Sequence, residues 1–321
     1  MIPPNFMSES KNKFSPSLLS LKSIITWIGM GLLRIISLLP YEILMIFGDS
    51  LGLLILKLSP HRKEISAINI NRCLQKEGDE LNQFVKSNFK AVGRGVFEMA
   101  IGWWASDKKI KNIKTRLINS HLLENQNEGA LLLIKHSTHL ELDLRLLSQF
   151  FNLTGMYKSQ SNAVLNYVMI KARNNYIEES LTNKEGLRAA RLIKSEKIFL
   201  YAADQDYGLN VSEMVPFFGH HAATVTFPAL FCKKNTKIIF ADVSNVKGTY
   251  EIELKELHSS QNRYEFLKEM NDLYQEFILK EPEGYLWMHR RFKSGLHENI
   301  YPKWSSRDKK REKRRLKRQE Y

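Results

Sequence analysis

Eight consecutive residues of this 321-residue chain hold its densest set of reactive side chains: His136-Ser137-Thr138-His139-Leu140-Glu141-Leu142-Asp143. Several arrangements can use them. His139 and Asp143 are four apart, so on a helix they share a face and make a surface ion pair of little worth. His136 and His139 with Glu141 or Asp143 can act as metal ligands, although the familiar pattern of two histidines at i and i+4 with an intervening Glu is absent. His136 and Glu141 are five apart, about 140° round an ideal helix. They meet only if His136 lies in a turn and Glu141 folds back from the first helical turn. A carboxylate there would fix the imidazole tautomer and stabilise the imidazolium formed when His136 removes a proton. The bland alternative is a polar helix start without chemistry. Further on, Asp204-Gln205-Asp206 follows another apolar run, and its first carboxylate can simply cap a turn.

The elements that must position these residues are legible as alternation. Short apolar runs of strand length occupy 130–134, 153–157, 197–202 and 237–243, with helix-like segments at 140–150, 162–180, 184–194 and 222–234. Such alternation predicts an α/β fold, a β-sheet flanked by helices. It also places His136 at the carboxyl end of a strand, where open sheets build their sites. The residues Asn125-Gln126-Asn127-Glu128-Gly129 read as a turn before that strand. The spacing of Phe84, Val85, Phe89, Val92, Val96, Phe97 and Met99 predicts a helix over 80–104 ending on Trp103-Trp104. That Trp pair suits core packing and interfacial anchoring equally. No internal repeat and no Gly-rich phosphate loop is present.

Two apolar stretches, 24–39 and 43–56, precede the alternating region. A spanning helix needs about 20 apolar residues. The first stretch is shorter, carries Arg34 and ends at Pro40, and it reads as an uncleaved membrane anchor in preference to a buried hairpin or a signal peptide. Residues 1–21 are polar and expected to be disordered. The formal charge of +14 favours an anionic partner. Half of it lies in the tail 303–321, with ten basic and three acidic residues. That tail lacks interleaved stacking aromatics, so nucleic acid is not expected as a partner. Two cysteines, Cys73 and Cys232, exclude a disulfide scaffold and a Cys-rich zinc site.

The His-x4-Glu motif of His136 and Glu141 after an apolar strand resembles the His-x4-Asp/Glu signature of glycerolipid and lipid A acyltransferases. Its surroundings are similar to the lipid A late-acyltransferase version. They include Asp204-Gln205-Asp206-Tyr207-Gly208, Val215-Pro216-Phe217-Phe218-Gly219, Ala222-Ala223-Thr224, and the closing block Pro282-Glu283-Gly284-Tyr285-Leu286-Trp287-Met288-His289-Arg290-Arg291-Phe292-Lys293. Leu39-Pro40-Tyr41, Asn88-Phe89 and Gly93 through Glu98 fit as well, so the resemblance covers about 22–300.

The resemblance implies a mixed β-sheet flanked by helices with an N-terminal hydrophobic helical anchor, divided as 1–21, anchor 22–60, acyltransferase domain 61–302 and basic tail 303–321. It implies acyl transfer from acyl-carrier protein to a hydroxyl of a Kdo-bearing lipid A precursor at the cytoplasmic face of the inner membrane, with no metal or other cofactor. His136 is then the general base and Glu141 the residue holding its imidazole. Lys158, Arg173, Asp204 and Asp206 become substrate-binding candidates. Lys158 stands in Tyr157-Lys158-Ser159-Gln160 where the family usually shows Tyr-Arg-Pro-Asn, which exchanges a bidentate guanidinium for a point charge. Arg290-Arg291 is expected to brace the sheet in preference to holding phosphate. A different lipid acceptor, or a metal-dependent hydrolase, is the competing function.

Overall fold

The computed structural model describes residue 14 and residues 16–124, 129–183, 185–193, 197–231, 236–257, 262–295 and 300–302. The start of the chain to residue 13, the turn at 125–128, Cys232 and the basic tail 303–321 lie outside the described residues.

Four helices come first. Helix α1 (Leu21–Ile36) starts where the Ser20 hydroxyl accepts from the Ser23 N–H at 3.3 Å, supplying one of the partners a helix start lacks. Helix α2 (Tyr41–Leu58) begins after Pro40, and α3 (Pro60–Leu74) opens on a proline at its first position, bent 100° from α2. Helix α4 (Gly78–Trp104) confirms the helix expected at 80–104 and packs against α2 and α3. Helices α2 and α4 touch backbone to backbone, since a Cβ on Gly93 would stand 2.1 Å from the Gly48 carbonyl oxygen.

A short α5 (Asp107–Lys111) leads into the sheet. Its strands are β1 (Thr115–Ile118), β2 (Ala130–Ile134), β3 (Leu153–Tyr157), β4 (Glu179–Thr182) and β5 (Ile198–Ala202), joined by α6 (His121–Glu124), α7 (Leu140–Leu147), α8 (Ala163–Arg173) and α9 (Gly186–Ile193). A hairpin, β6 (Ser212–Phe217) and β7 (His220–Val225), stands apart; β8 (Lys237–Val246), β9 (Thr249–Glu256) and α10 (Arg263–Lys280) complete the order. The seven-stranded sheet runs β1-β9-β8-β2-β5-β3-β4, parallel except for the β8–β9 hairpin, so it is mixed. Strand β2 is buried throughout, as a central strand covered by helices on both faces should be.

Two expected helices differ. The segment expected at 162–180 stops at Arg173 and gives way to β4, a short polar edge strand with no apolar run to announce it. The segment expected at 222–234 begins instead as strand, residues 222–225 belonging to β7, and among its described residues only Pro228–Leu230 forms a single 3-10 turn. Phe218 and Gly219, both at positive φ, make a tight turn that pairs β7 with β6, and this turn chemistry overrides the helical spacing of its apolar residues.

No single helix among the described residues is long and apolar enough to cross a membrane. Helix α1 has 16 residues, or about 24 Å at 1.5 Å each, against roughly 30 Å of hydrocarbon. The break at 37–40 ends it, so the anchor expected over this stretch is not present as a spanning helix.

Candidate active site

Strands β2 and β5 are adjacent and parallel, with Ile134 paired to Ala202. Two residues beyond each end stand His136 and Asp204. The register therefore brings them together. The Asp204 carboxylate accepts from the His136 backbone N–H at 2.9 Å and lies 2.5 Å from Nδ1 of its ring. Tyr274 on α10 clamps both strand ends, its hydroxyl donating to the Ile134 carbonyl at 3.0 Å and accepting from the Ala203 N–H at 2.8 Å. Asp204 is fully buried. Burial pushes its carboxyl up, but the imidazole and the two hydrogen bonds from His136 outweigh that and hold it below the usual carboxylate range.

Glu141 does something other than expected. Its carboxylate accepts from Arg173 Nε at 3.0 Å, from Arg173 Nη2, and from the Trp103 indole N–H at 2.7 Å. The imidazole partner is Asp204, not Glu141. Glu141 follows the turn into α7, where α8 and the end of α4 present a guanidinium and an indole that fully engage it. Burial lowers the basicity of Arg173, but the charge and hydrogen bonds of Glu141 raise it further, so Arg173 stays a cation.

His136, Glu141, Arg173 and Lys158 nevertheless share one cavity of about 630 Å³, whose apolar wall includes Leu144 and Met169. Lys158 is exposed there with no anionic partner among the described residues. Asp206 is not part of this wall. Its buried carboxylate accepts from the N–H groups of Gly208 at 2.9 Å and Ser294 at 2.8 Å and from the Ser294 hydroxyl at 2.9 Å, which pins the closing block, so the structure does not bring it to the wall shared by Lys158 and Arg173. Asp204 likewise supports the imidazole and does not line the cavity.

The closing block backs the turn that carries His136. The Leu286 N–H donates to the His136 carbonyl at 3.0 Å, and the Thr138 N–H donates to the Gly284 carbonyl at 2.7 Å. Arg291 is buried and braces β7, donating to the Ala223 carbonyl at 2.7 Å and Thr224 Oγ1 at 3.0 Å, as expected of bracing. On the other side α4 presses against the turn: a Cβ on Gly95 would stand 2.1 Å from the Thr138 carbonyl oxygen and one on Gly102 2.6 Å from that of Glu141.

His139 is buried, not a surface residue. Its Nδ1 lies 2.5 Å from Asp143 and its Nε2 3.2 Å from Glu281. Burial alone would lower its basicity, but the two carboxylates outweigh it and hold the ring protonated well above the usual histidine range. With both nitrogens taken, it is closed to a metal, and among the described residues no group of His, Cys, Asp and Glu is disposed to hold one. Nearby His289 is pushed down to about 3, chiefly by burial and then by Lys293. No sequence signal marks Tyr274 as the partner of both strand ends. Trp103 is legible only through its place at the end of α4, and its bond to Glu141 depends on the packing of α4 against α7.

The model of the bacterial lipid A biosynthesis acyltransferases matches residues 11–294. The chain belongs to that family. A lipid A biosynthesis acyltransferase of Haemophilus influenzae is 28% identical over 298 residues, covering 89% of this chain and 96% of its own. Two Escherichia coli relatives, a lipid A biosynthesis lauroyltransferase and a palmitoleoyltransferase, are each 27% identical, covering 88% of this chain and 95% of their own. The solved 1-acyl-sn-glycerophosphate acyltransferase of Thermotoga maritima overlays 75% of this chain and 98% of its own at a TM-score of 0.34 and 9% identity, too distant for residue roles to carry across. Within a lipid A acyltransferase, the strand-end His136–Asp204 pair beside an apolar-walled cavity is the candidate catalytic centre.

Proposed function

We propose that this acyltransferase moves a fatty acyl chain from acyl-carrier protein to a hydroxyl of a Kdo-bearing lipid A precursor at the cytoplasmic face of the inner membrane. The observation that carries the reading is the His136–Asp204 pair opening onto the cavity. With Nδ1–H donated to Asp204, Nε2 of His136 keeps a lone pair for the acceptor hydroxyl. The hydroxyl oxygen attacks the thioester carbonyl as its proton passes to Nε2. The imidazolium then returns that proton to the departing thiolate. General-base help of this kind contributes on the order of 10²–10⁴-fold.

The backbone N–H groups of Leu140 and Glu141, in the first turn of α7, have no hydrogen-bond acceptor among the described residues, and both residues line the cavity. They are suited to the oxyanion that forms on the thioester carbonyl. Glu141, Arg173 and Trp103 form a rigid wall beside it, and Lys158 is the cation free to meet a phosphate of the acceptor. The positive charge of the chain suits both an acidic carrier protein and an anionic lipid.

The test is an assay of the full chain with acyl-carrier-protein thioester and lipid A precursor, comparing His136→Ala with the parent. A loss of about 10² or more in kcat, on the scale of general-base help, supports the reading. Undiminished transfer by the variant removes His136 from the mechanism, and equal turnover of a lysophospholipid replaces the acceptor.

A further inference from the structure

A second cavity, of about 370 Å³, lies between α1, the end of α4 and α8. It shares no lining residue with the catalytic cavity. Its wall includes the aromatic rings of Trp27, Trp104 and Tyr167, and two cations, Arg34 and Lys171, which are both exposed. Neither has an anionic partner among the described residues. Helix α1, which forms one side, turns Ile25, Ile28, Leu32 and Ile35 outward, each more than half exposed. The cavity thus opens along a helix whose outer face is apolar. It joins a ring-lined apolar interior to two unmatched positive charges.

We propose that this cavity is a binding site for one anionic phospholipid of the bilayer, its acyl chain among the three rings and its phosphate held by Arg34 and Lys171. Charge complementarity selects a phosphate-headed lipid, because the guanidinium and the ammonium both lack an anion and an aliphatic chain suits the floor. Separation from His136 selects a bilayer lipid over the acceptor, whose reacting hydroxyl must reach the other cavity. The two sites share structure nonetheless. Trp103 borders the second cavity and donates to Glu141 of the first, and α8 carries Lys171 to one and Arg173 to the other. A lipid seated there packs against the wall that holds Glu141.

The tryptophans make the site directly readable. The full-length protein is placed in vesicles at a lipid excess where all of it is bound. Indole quenching is then compared for phosphatidylglycerol and phosphatidylcholine brominated on the acyl chain, each titrated into unbrominated phosphatidylcholine. The expected result is a preference of roughly 30-fold for the brominated anionic lipid, the scale of two cations facing one phosphate. Arg34→Gln with Lys171→Gln should abolish the preference. Gly31→Leu should abolish it independently, since a Cβ at Gly31, which lines the cavity, meets nothing within 4 Å and the added side chain takes the space without strain. Equal quenching by both lipids, or a preference that survives either variant, overturns the proposal. So does relief of quenching by unbrominated lipid A precursor, which would assign the cavity to the acceptor.

Discussion

On the proposed mechanism, the position of one proton on the His136 ring, set by Asp204, decides whether Nε2 is free to act as a base. A carboxylate at Nδ1 accepts the ring proton and leaves Nε2 basic. An amide there can donate instead, which shifts the ring proton to Nε2 and removes the lone pair the acceptor needs. Asp204→Asn should therefore lower kcat by on the order of 10²–10⁴-fold with KM little changed, in a protein that folds normally. Glu141→Gln should behave differently. It leaves the largely covered Arg173 beside a neutral group, where weakening hydrogen bonds between charged groups costs about 1.5–3 kcal/mol, so its first symptom is a lowered melting temperature. Steady-state kinetics and thermal unfolding of the two variants separate these roles; a Glu141→Gln protein of parental stability and unmeasurable kcat would reverse the assignment. The candidate base His136 was legible from sequence because a strand end and a reactive cluster coincide within a few residues. Its partner was not, because Asp204 lies 68 residues away and only the pairing of Ile134 with Ala202 makes the two adjacent.

Among the elements, α4 sets the floor of the site, and its glycines are the means. Gly93, Gly95 and Gly102 each meet backbone within 2.6 Å of where a Cβ would stand, from α2, from the catalytic turn and from the start of α7. Helix α1 gives the contrast. Gly29 and Gly31 meet nothing within 4 Å, so alanine there should stabilise the helix by about 0.5–1 kcal/mol. Gly93→Ala must instead push α2 off α4 and should cost about 1–3 kcal/mol, the usual penalty of overpacking. Differential scanning calorimetry should show melting temperatures moving in opposite directions for Gly31→Ala and Gly93→Ala; a neutral Gly93→Ala would mean that the two helices are not in close contact. Alternation announced the central strands β2, β3, β5 and β8, since each is an apolar run of strand length. It does not announce β1, β4, β6 or β9, which lack such a run, and the spacing at 222–234 reads as helix where 222–225 are strand, because two-residue turns leave little trace in a composition.

Over the whole molecule, the question is what covers the outer faces of α1 and α2. The sequence marks both stretches as apolar, and a core hairpin would read the same way. Only packing distinguishes them. Helix α2 buries Leu44, Gly48 and Gly52 against the body yet leaves Ile43, Ile46 and Leu54 exposed, while Leu21, Ile25, Ile28, Leu32 and Ile35 form a stripe along α1 at spacings of four and three. A stripe of that length on a monomer marks an interaction surface, and for a lipid-modifying enzyme the occupant we propose is the bilayer interface, with α1 lying along it. Removing 1–58 is a poor test, because it would strip α2 from α4 and unfold the body. Replacing Ile25, Ile28, Leu32 and Ile35 with serine leaves the hydrophobic core clusters in place, since none of the four belongs to them. Each aliphatic side chain removed from water contributes roughly 1 kcal/mol or more, given that it is already partly covered. Basic residues near an anionic surface add about 1 kcal/mol each, and salt screens them, with a Debye length near 3 Å at 1 M. The parent should thus remain on sedimented vesicles in 1 M salt. The four-serine variant should bind only at low salt, and removal of 303–321 should weaken that residual binding alone. If the four-serine variant still sediments in 1 M salt, the stripe on α1 is not the membrane contact and the apolar face of α2 must carry it.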